Sequence, residues 1–333
     1  MCSSDLNTPS FGTACTAGGF TYLGQPLNYT TAPVITVTAQ GLANNTTTLY
    51  AGAWSRITNS TLMPATQLSR YSRFDALGGG NTPALDPTGL PATTADPVIG
   101  TFTAGVGALT FGSGTGLRFA RATPVAPFNA DIALALNVID ADSVAYAGNP
   151  AAFGTATAGN GIAFGSGRQM RFGRLALRNA NGSQLVPLPV QVEAQYAVTA
   201  GAGIVFITNK DDSCTSLANN NVQMSSFTAN LAACQTAISG GGALSSGRIT
   251  LLLPAPGNAN NGSVLLTANL GTSSSGTTCT SVGGGTVSAA GASRTYLQGN
   301  WAGSPTYADN PSARAAFGTF KGSDEVIFIR ENF

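Results

Sequence analysis

Residues 188–196 read Leu-Pro-Val-Gln-Val-Glu-Ala-Gln-Tyr, and they contain the clearest strand pattern in the chain. Apolar and polar side chains alternate there, with Val190, Val192 and Ala194 at one set of positions and Gln191, Glu193 and Gln195 at the other. Because successive side chains of an extended strand point to opposite faces, this alternation predicts a strand with one buried and one solvated face.

Short runs with the same two-residue period recur along the sequence, separated by turns rich in Gly, Pro, Asn and Ser. Further strands are predicted at residues 34–39, 132–138, 266–270 and 325–330. Helical patterns are confined to residues 58–72, which Pro64 interrupts, and to residues 312–316, where Ser-Ala-Arg-Ala-Ala allows one turn. We therefore expect an all-β fold of two or more Ig-like or Greek-key β-sandwich lobes with long Gly/Ser-rich loops.

The domain organisation is predicted from composition. Residues 145–168 are rich in Gly and Ala and indicate a boundary, so we expect an N-terminal lobe over residues 15–160 and a C-terminal lobe over residues 161–333. Residues 1–14 are interpreted as an artefact-like start and a linker, because residues 1–6, Met-Cys-Ser-Ser-Asp-Leu, resemble a translated sequencing adapter. On that interpretation the natural N-terminus lies upstream, and a signal peptide has been lost by truncation.

The composition excludes several classes of protein. Only 9% of the 333 residues are charged while 43% are hydrophobic, so the chain differs from charge-rich disordered proteins. The formal net charge is +1 without a basic cluster, which argues against nucleic acid as a partner. No apolar run approaches the roughly 20 residues that a helix needs to cross a bilayer, so no membrane-spanning segment is expected.

The cysteines indicate an oxidising compartment. The chain has five, and setting Cys2 aside with the adapter-like start leaves Cys15, Cys214, Cys234 and Cys279. An even, widely spaced set without a C-x-x-C motif favours two disulfides and an exported protein over a zinc site. Three pairings are open, and we favour Cys214 with Cys234 because that pair closes the shortest loop.

Candidate chemical groups are few. The chain contains no histidine, which removes Ser-His-Asp and Cys-His catalysis, and its fourteen acidic residues offer few carboxylate pairs, so we predict no enzymatic activity. Asp140 and Asp142 have the D-x-D spacing of either a plain turn or a Ca²⁺ half-site, and no other cofactor is expected. Trp54 and Trp301, the two tryptophans, either pack against the core or stack on a sugar ring.

Long motifs in the sequence are more specific than its composition. They comprise Arg171–Ser183, Leu185–Val190, Glu193–Tyr196, Thr208–Thr215, Asn310–Gly322 and Ile329–Phe333, with Cys15 and Phe20–Pro26 near the start. Together they resemble the C-terminal domain of MshQ-type proteins of the mannose-sensitive haemagglutinin (MSHA) type IV pilus system, over about residues 15–333.

The resemblance implies a cellular location and a biological process, but no specific chemical activity. It implies a non-catalytic extracellular component of an MSHA-like type IV pilus, acting in pilus biogenesis or surface adhesion at the cell surface. Pilus proteins or other cell-surface proteins, and also glycans, are the expected partners. The alternative is a carbohydrate-binding β-sandwich module of a secreted protein, for which the exposed aromatic residues would supply the binding surface.

The matched motifs also suggest roles for single residues. Arg174, Glu193, Asp212 and Arg314 lie within them and are interpreted as structural, with Arg174, Arg178 and Arg314 pairing with Glu193, Asp309 or Asp212. Cys234 and Cys279 depart from the family pattern. As additions they would pair with each other, an alternative that competes with the Cys214–Cys234 pairing.

Overall fold

The computed structural model describes residues 2–303 and 305–318 of the chain. Strands dominate this part, and the all-β prediction is confirmed. The chain forms two compact units, each assembled from two separate segments. Unit 1 comprises Met1–Arg174 and Gln195–Cys214, and unit 2 comprises Leu175–Ala194 and Thr215–Phe333. The lobe boundaries expected from the sequence, 15–160 and 161–333, stay a prediction.

In chain order the strands are β1 (Cys2–Leu6), β2 (Ser10–Phe11), β3 (Phe20–Tyr22), β4 (Tyr29–Thr31), β5 (Val34–Ala39), β6 (Tyr71–Arg73), β7 (Leu85–Asp86), β8 (Val98–Ile99), β9 (Val106–Thr110), β10 (Arg118–Phe119), β11 (Phe128–Asn129), β12 (Ile132–Leu136), β13 (Ala151–Phe153), β14 (Ala163–Phe164), β15 (Gln169–Arg171), β16 (Gly173–Leu177), β17 (Ala180–Gly182), β18 (Leu188–Ala200), β19 (Gly203–Thr208), β20 (Ser216–Ala218), β21 (Val222–Ala229), β22 (Ser239–Ala243), β23 (Arg248–Leu253), β24 (Gly262–Ala268), β25 (Thr277–Cys279), β26 (Thr286–Ser288) and β27 (Ser312–Phe317). The helical elements are α1 (Gln67–Arg70) and the 3-10 helices Gly52–Trp54, Asn219–Asn221 and Thr295–Leu297.

Unit 1 is a set of small sheets around an aromatic and aliphatic core. The strand orders are β1-β5-β9-β8, β13-β12-β6, β11-β15-β3, β14-β2-β4 and β10-β7, and β19 pairs with the last part of β18. In β12, Ile132, Leu134 and Leu136 are fully buried, as their two-residue period predicts. These short strands leave long connecting loops, and the candidate site lies on one of them.

Unit 2 has two larger sheets and a hairpin. The first part of β18 pairs with β23, followed by β22 and β20, while β17-β27-β24-β21 forms the second sheet and β25-β26 the hairpin. Val190, Val192 and Ala194 are fully buried, as predicted. The expectation of a solvated opposite face is wrong at Glu193 and Gln195, which are also buried. Polar partners replace the lost water there, as described below.

Of three further predictions from the sequence, one is wrong and two stay untested. The helical turn predicted at residues 312–316 is wrong, because these residues belong to β27, which pairs with β24 and buries Ala313, Ala315 and Phe317. Sheet pairing thus outweighs the helix propensity of alanine. The strand predicted at residues 325–330 lies outside the described residues. Residues 2–6 of the adapter-like start form β1, whose backbone pairs with β5, and the origin of this segment stays a prediction.

Candidate functional site

The residues between β5 and β6 expose large apolar side chains to solvent. Leu42 is 100% exposed, Leu49 82% and Trp54 77%, which are the highest values among large apolar residues of the described chain. Thr47, Leu49, Tyr50 and Trp54 line an open pocket of about 520 Å³. We call these four lining residues the Trp54 surface.

Local hydrogen bonds hold the Trp54 surface in place. The Tyr50 N–H donates to the carbonyl of Thr47 (3.0 Å), and the Trp54 N–H donates to that of Ala51 (3.0 Å), which closes the 3-10 turn Gly52–Trp54. The Ser55 hydroxyl donates to the Gly52 carbonyl at 2.9 Å. Because this turn buries none of its three residues, the indole ring projects from an ordered backbone into solvent.

Tyr50 connects the Trp54 surface to the D-x-D turn. Its ring packs edge to face on Phe102, with the centroids 5.4 Å apart. Its hydroxyl donates to Oδ2 of Asp140 at 3.4 Å and accepts from the Arg56 N–H at 3.0 Å. Tyr50 therefore lines the same pocket as Trp54 and bonds to Asp140, two residues that the sequence singled out separately.

The D-x-D carboxylates have different surroundings. Asp140 is buried, and its Oδ1 accepts from the backbone N–H groups of Asp142 (3.0 Å) and Val144 (2.8 Å). Asp142 is exposed, and its Oδ1 lies 3.9 Å from Nη2 of Arg56. This is the geometry of a turn closed by an aspartate side chain. The plain turn and the Ca²⁺ half-site both stay predictions, and the described residues contain no cluster of three or more His, Cys, Asp or Glu that could hold a metal.

The second tryptophan lies elsewhere. Trp301 belongs to unit 2 and is 38% exposed, about half the exposure of Trp54. Its ring lies close to the backbone of Gly299, where an added Cβ would come within 2.4 Å of Nε1. Trp301 is therefore partly packed, whereas Trp54 presents most of its ring to solvent.

The cysteines form two disulfides, Cys15–Cys214 in unit 1 and Cys234–Cys279 in unit 2. The favoured pairing of Cys214 with Cys234 is therefore wrong. The reason lies in the tertiary structure. The backbone of Cys15 forms an antiparallel β-bridge with Phe20, and the Cys15 Sγ lies 4.0 Å from the carbonyl of Asp211, close to Cys214 in the sequence. A short loop in sequence does not bring two cysteines together when the fold places each beside a distant partner.

Several motif residues form one buried network around this first disulfide. The Tyr22 hydroxyl donates to Oδ2 of Asp212 at 2.8 Å and accepts from Nδ2 of Asn209 at 2.7 Å. Arg171 donates to the amide oxygen of Asn209 and to Oδ2 of Asp211, the latter at 2.7 Å. The guanidinium of Arg171 also lies over the Phe20 ring, 4.5 Å from its centroid. The motif at residues 208–215 is thus fixed to β3 and β15.

The predicted ion pairs are only partly present. Glu193 accepts from Arg178 (2.6 Å) and from Arg248 (3.2 Å), which explains its burial. Arg174 donates to the amide oxygen of Gln195 at 2.9 Å and lies over the Phe206 ring. Arg314 donates to the Ser263 hydroxyl at 2.8 Å, and within the described residues it forms no ion pair with Asp212, Asp309 or Glu193.

Sequence reasoning missed residues that matter here. Leu49 and Tyr50 were not singled out, although an apolar pair within a Thr/Asn/Gly-rich stretch is a signal for an exposed loop. Asp131 and Arg168 were also missed, because their separation of 37 positions in the sequence hides their contact. As a separate finding, no helix in the described part of the structure is both long enough and apolar enough to cross a membrane.

Comparisons with known proteins give one family. The model of the third domain of DUF6701 matches residues 3–165, and the model of the fourth domain matches residues 171–332. No curated protein matches the chain. Among solved structures, the adhesin InvE of Yersinia pseudotuberculosis aligns with 13% sequence identity and a TM-score of 0.23, covering 95% of this chain and 60% of that chain. This chain thus spans about 60% of the adhesin's length.

The two domain matches are consecutive and lie in family order. Each covers slightly less than half of the 333 residues, and together they leave only short gaps at residues 1–2, 166–170 and 333. The chain therefore belongs to the DUF6701 family, of which it contains the third and fourth domains.

Proposed function

We propose that this chain is a non-catalytic extracellular component that binds another surface through the Trp54 surface, in adhesion or in the biogenesis of an MSHA-like type IV pilus. The observation that carries the proposal is the exposure of Leu49 (82%) and Trp54 (77%) around one open pocket. Apolar surface left in water costs free energy, which a partner recovers by covering it. The motifs that resemble MshQ-type proteins support the pilus context.

The disulfides support the extracellular location that the proposal requires. Disulfides persist in oxidising compartments such as the periplasm and the cell exterior, and this chain forms two. The Cys234–Cys279 sulfurs are buried, so this disulfide acts as a structural crosslink. A surface location fits a loop that exposes apolar side chains to a partner outside the cell.

Complementation of a deletion strain tests the proposal. We expect the deletion to reduce attachment or piliation, wild type to restore it, and a Leu49→Ala/Trp54→Ala variant to restore it incompletely. A Leu185→Ala/Val186→Ala variant, which alters an exposed apolar pair of unit 2, is the control and should restore it fully. Unchanged attachment and piliation in the deletion strain would contradict the proposed function.

A carbohydrate-binding module is the second candidate. Trp54 and Tyr50 both line the open pocket, and an aromatic ring can stack on the apolar face of a sugar. The exposed Arg56 and Asp142 lie beside Tyr50 and could bond sugar hydroxyls. A glycan array should show hits that Trp54→Ala loses. An array without hits would leave a protein partner as the better proposal.

We also propose that the chain has no enzymatic activity and binds no calcium. A panel of glycosides should show no turnover, and turnover abolished by Asp140→Asn would contradict the proposal. Addition of Ca²⁺ or of a chelator should leave the Tm unchanged. Both oxygens of Asp140 already accept hydrogen bonds within the chain, which supports this expectation.

A further inference from the structure

Unit 1 contains a second pocket, which the proposed function does not use. It has a volume of about 360 Å³ and is lined by Phe74, Leu77, Asn129, Asp131, Arg168 and Gln169, among others. We call it the Arg168 pocket. It shares no lining residue with the Trp54 surface, so an inference about it stands independently.

An ion pair with a buried carboxylate and a half-exposed guanidinium forms one wall of the Arg168 pocket. Oδ1 of Asp131 lies 2.5 Å from Nη1 of Arg168, and its Oδ2 accepts from the Gly159 N–H at 3.0 Å. The Asp131 side chain is 4% exposed, whereas that of Arg168 is 38% exposed. The negative end of the pair is therefore enclosed by donors, and the positive end faces the opening.

The guanidinium retains donors for a ligand. Within the described residues, the Arg168 side chain bonds only to Asp131, through Nη1. Its Nε–H and Nη2–H groups are left to donate. A carboxylate accepts two parallel hydrogen bonds from a guanidinium, and such charge-assisted pairs are among the stronger hydrogen bonds in proteins.

The remaining walls combine amides with apolar side chains. Oε1 of Gln169 accepts from Nε of Arg171 at 2.7 Å, which leaves the Gln169 amide N–H groups to donate. Asn129 is exposed and offers a second amide, while Phe74 and Leu77 supply an apolar side. Hydrogen-bonding groups on one side and a hydrocarbon wall on the other match a sugar ring, which has hydroxyls and an apolar C–H face.

We propose that the Arg168 pocket binds an acidic monosaccharide unit, such as a uronic or sialic acid of a surface polysaccharide, with its carboxylate on Arg168. The volume of about 360 Å³ lies at the lower end of the range of small-molecule sites, which suits one sugar residue. The Asp131 carboxylate also accepts from the backbone N–H groups of Gly159 (3.0 Å) and Gly161 (3.4 Å), which offset part of its charge and reduce its repulsion of an incoming carboxylate.

Titration calorimetry with the full chain tests the proposal, using glucuronate and N-acetylneuraminate as ligands and glucose and acetate as comparisons. We expect one of the two acids to bind at least about tenfold more tightly than glucose or acetate, the order of a charge-assisted hydrogen bond. Arg168→Gln should reduce that affinity by a similar factor. No binding of either acid, equal binding of glucose, or an unaffected Arg168→Gln would overturn it.

A second variant covers the case in which Arg168→Gln fails to fold. Ala158 is exposed at the edge of the pocket, so Ala158→Trp should block entry and abolish binding without removing the ion pair. Ala202→Trp, at another exposed alanine of unit 1, is the matched control and should bind normally. Acid binding that survives Ala158→Trp would place the ligand elsewhere. Trp54→Ala should leave acid binding unchanged, which separates this proposal from the proposed function.

Discussion

At the scale of single residues, Tyr22 shows how a buried hydroxyl fixes a loop. Burial raises the pKa of Tyr22 well above its usual value, and the nearby Asp212 carboxylate adds to the effect. The hydroxyl therefore stays protonated over the physiological range and donates its proton to Asp212. Asp212 in turn accepts from the Cys214 N–H at 3.0 Å, so one side chain supports the position of a disulfide.

Tyr22→Phe should lower the free energy of unfolding by about 1–3 kcal/mol, because the buried carboxylate of Asp212 and the amide of Asn209 each lose a partner. Urea denaturation followed by fluorescence measures the change. Tyr146→Phe alters a half-buried loop tyrosine and should cost less. A Tyr22→Phe variant as stable as wild type would show that water or neighbouring groups replace the hydroxyl.

At the scale of elements, the loop after β6 is organised by one carboxylate. Oδ2 of Asp75 accepts from the Gly80 N–H at 2.6 Å and Oδ1 from the Thr82 N–H at 3.0 Å. Gly78, Gly79 and Gly80 all have positive φ, between 62° and 78°, a region that glycine enters without strain. Aspartate and glycines together therefore define the loop that carries Leu77 into the Arg168 pocket.

The Asp75 loop should respond to acid. Hydrogen bonds from the Thr82 side chain, and from the N–H groups of Gly80 and Thr82, hold the pKa of Asp75 below its ordinary value of 3.8. A depressed folded-state pKa contributes stability that is present above the unfolded-state value and is lost as the pH falls through the folded-state value.

Asp75→Asn should therefore flatten the decline of the urea midpoint as the pH falls from about 4 towards 2. Urea midpoints measured at several pH values for wild type and variant test this. Asp142→Asn, which alters another exposed loop carboxylate, controls for the loss of a surface charge. Parallel pH profiles for wild type and Asp75→Asn would refute the prediction.

At the scale of the whole molecule, each unit has its own covalent crosslink. Cys15–Cys214 joins residues 199 positions apart in unit 1, and Cys234–Cys279 joins residues 45 positions apart in unit 2. A crosslink restricts the unfolded chain, and the entropic effect grows slowly with the length of the loop. Each disulfide therefore adds to the stability that the buried apolar core of its unit provides.

Loss of either disulfide should cost roughly 2–5 kcal/mol of unfolding free energy, with the larger loss for the longer loop. Denaturation of Cys15→Ser/Cys214→Ser and Cys234→Ser/Cys279→Ser measures both values. The rate of backbone amide hydrogen exchange should increase more in the unit that lost its crosslink than in the other unit. Equal exchange throughout the chain in both variants, or an unchanged midpoint, would count against this assignment.

The sequence by itself determined the all-β class, the buried faces of β12 and β18, and the export signature of four widely spaced cysteines. These features are local: a two-residue period or a residue count depends only on neighbours in the chain. Only the tertiary structure decided the disulfide pairing, the strand at residues 312–317, the burial of Glu193, and which tryptophan faces solvent. Each depends on groups far apart in sequence, such as Cys15 with Cys214 or Asp131 with Arg168, and no local pattern encodes such contacts.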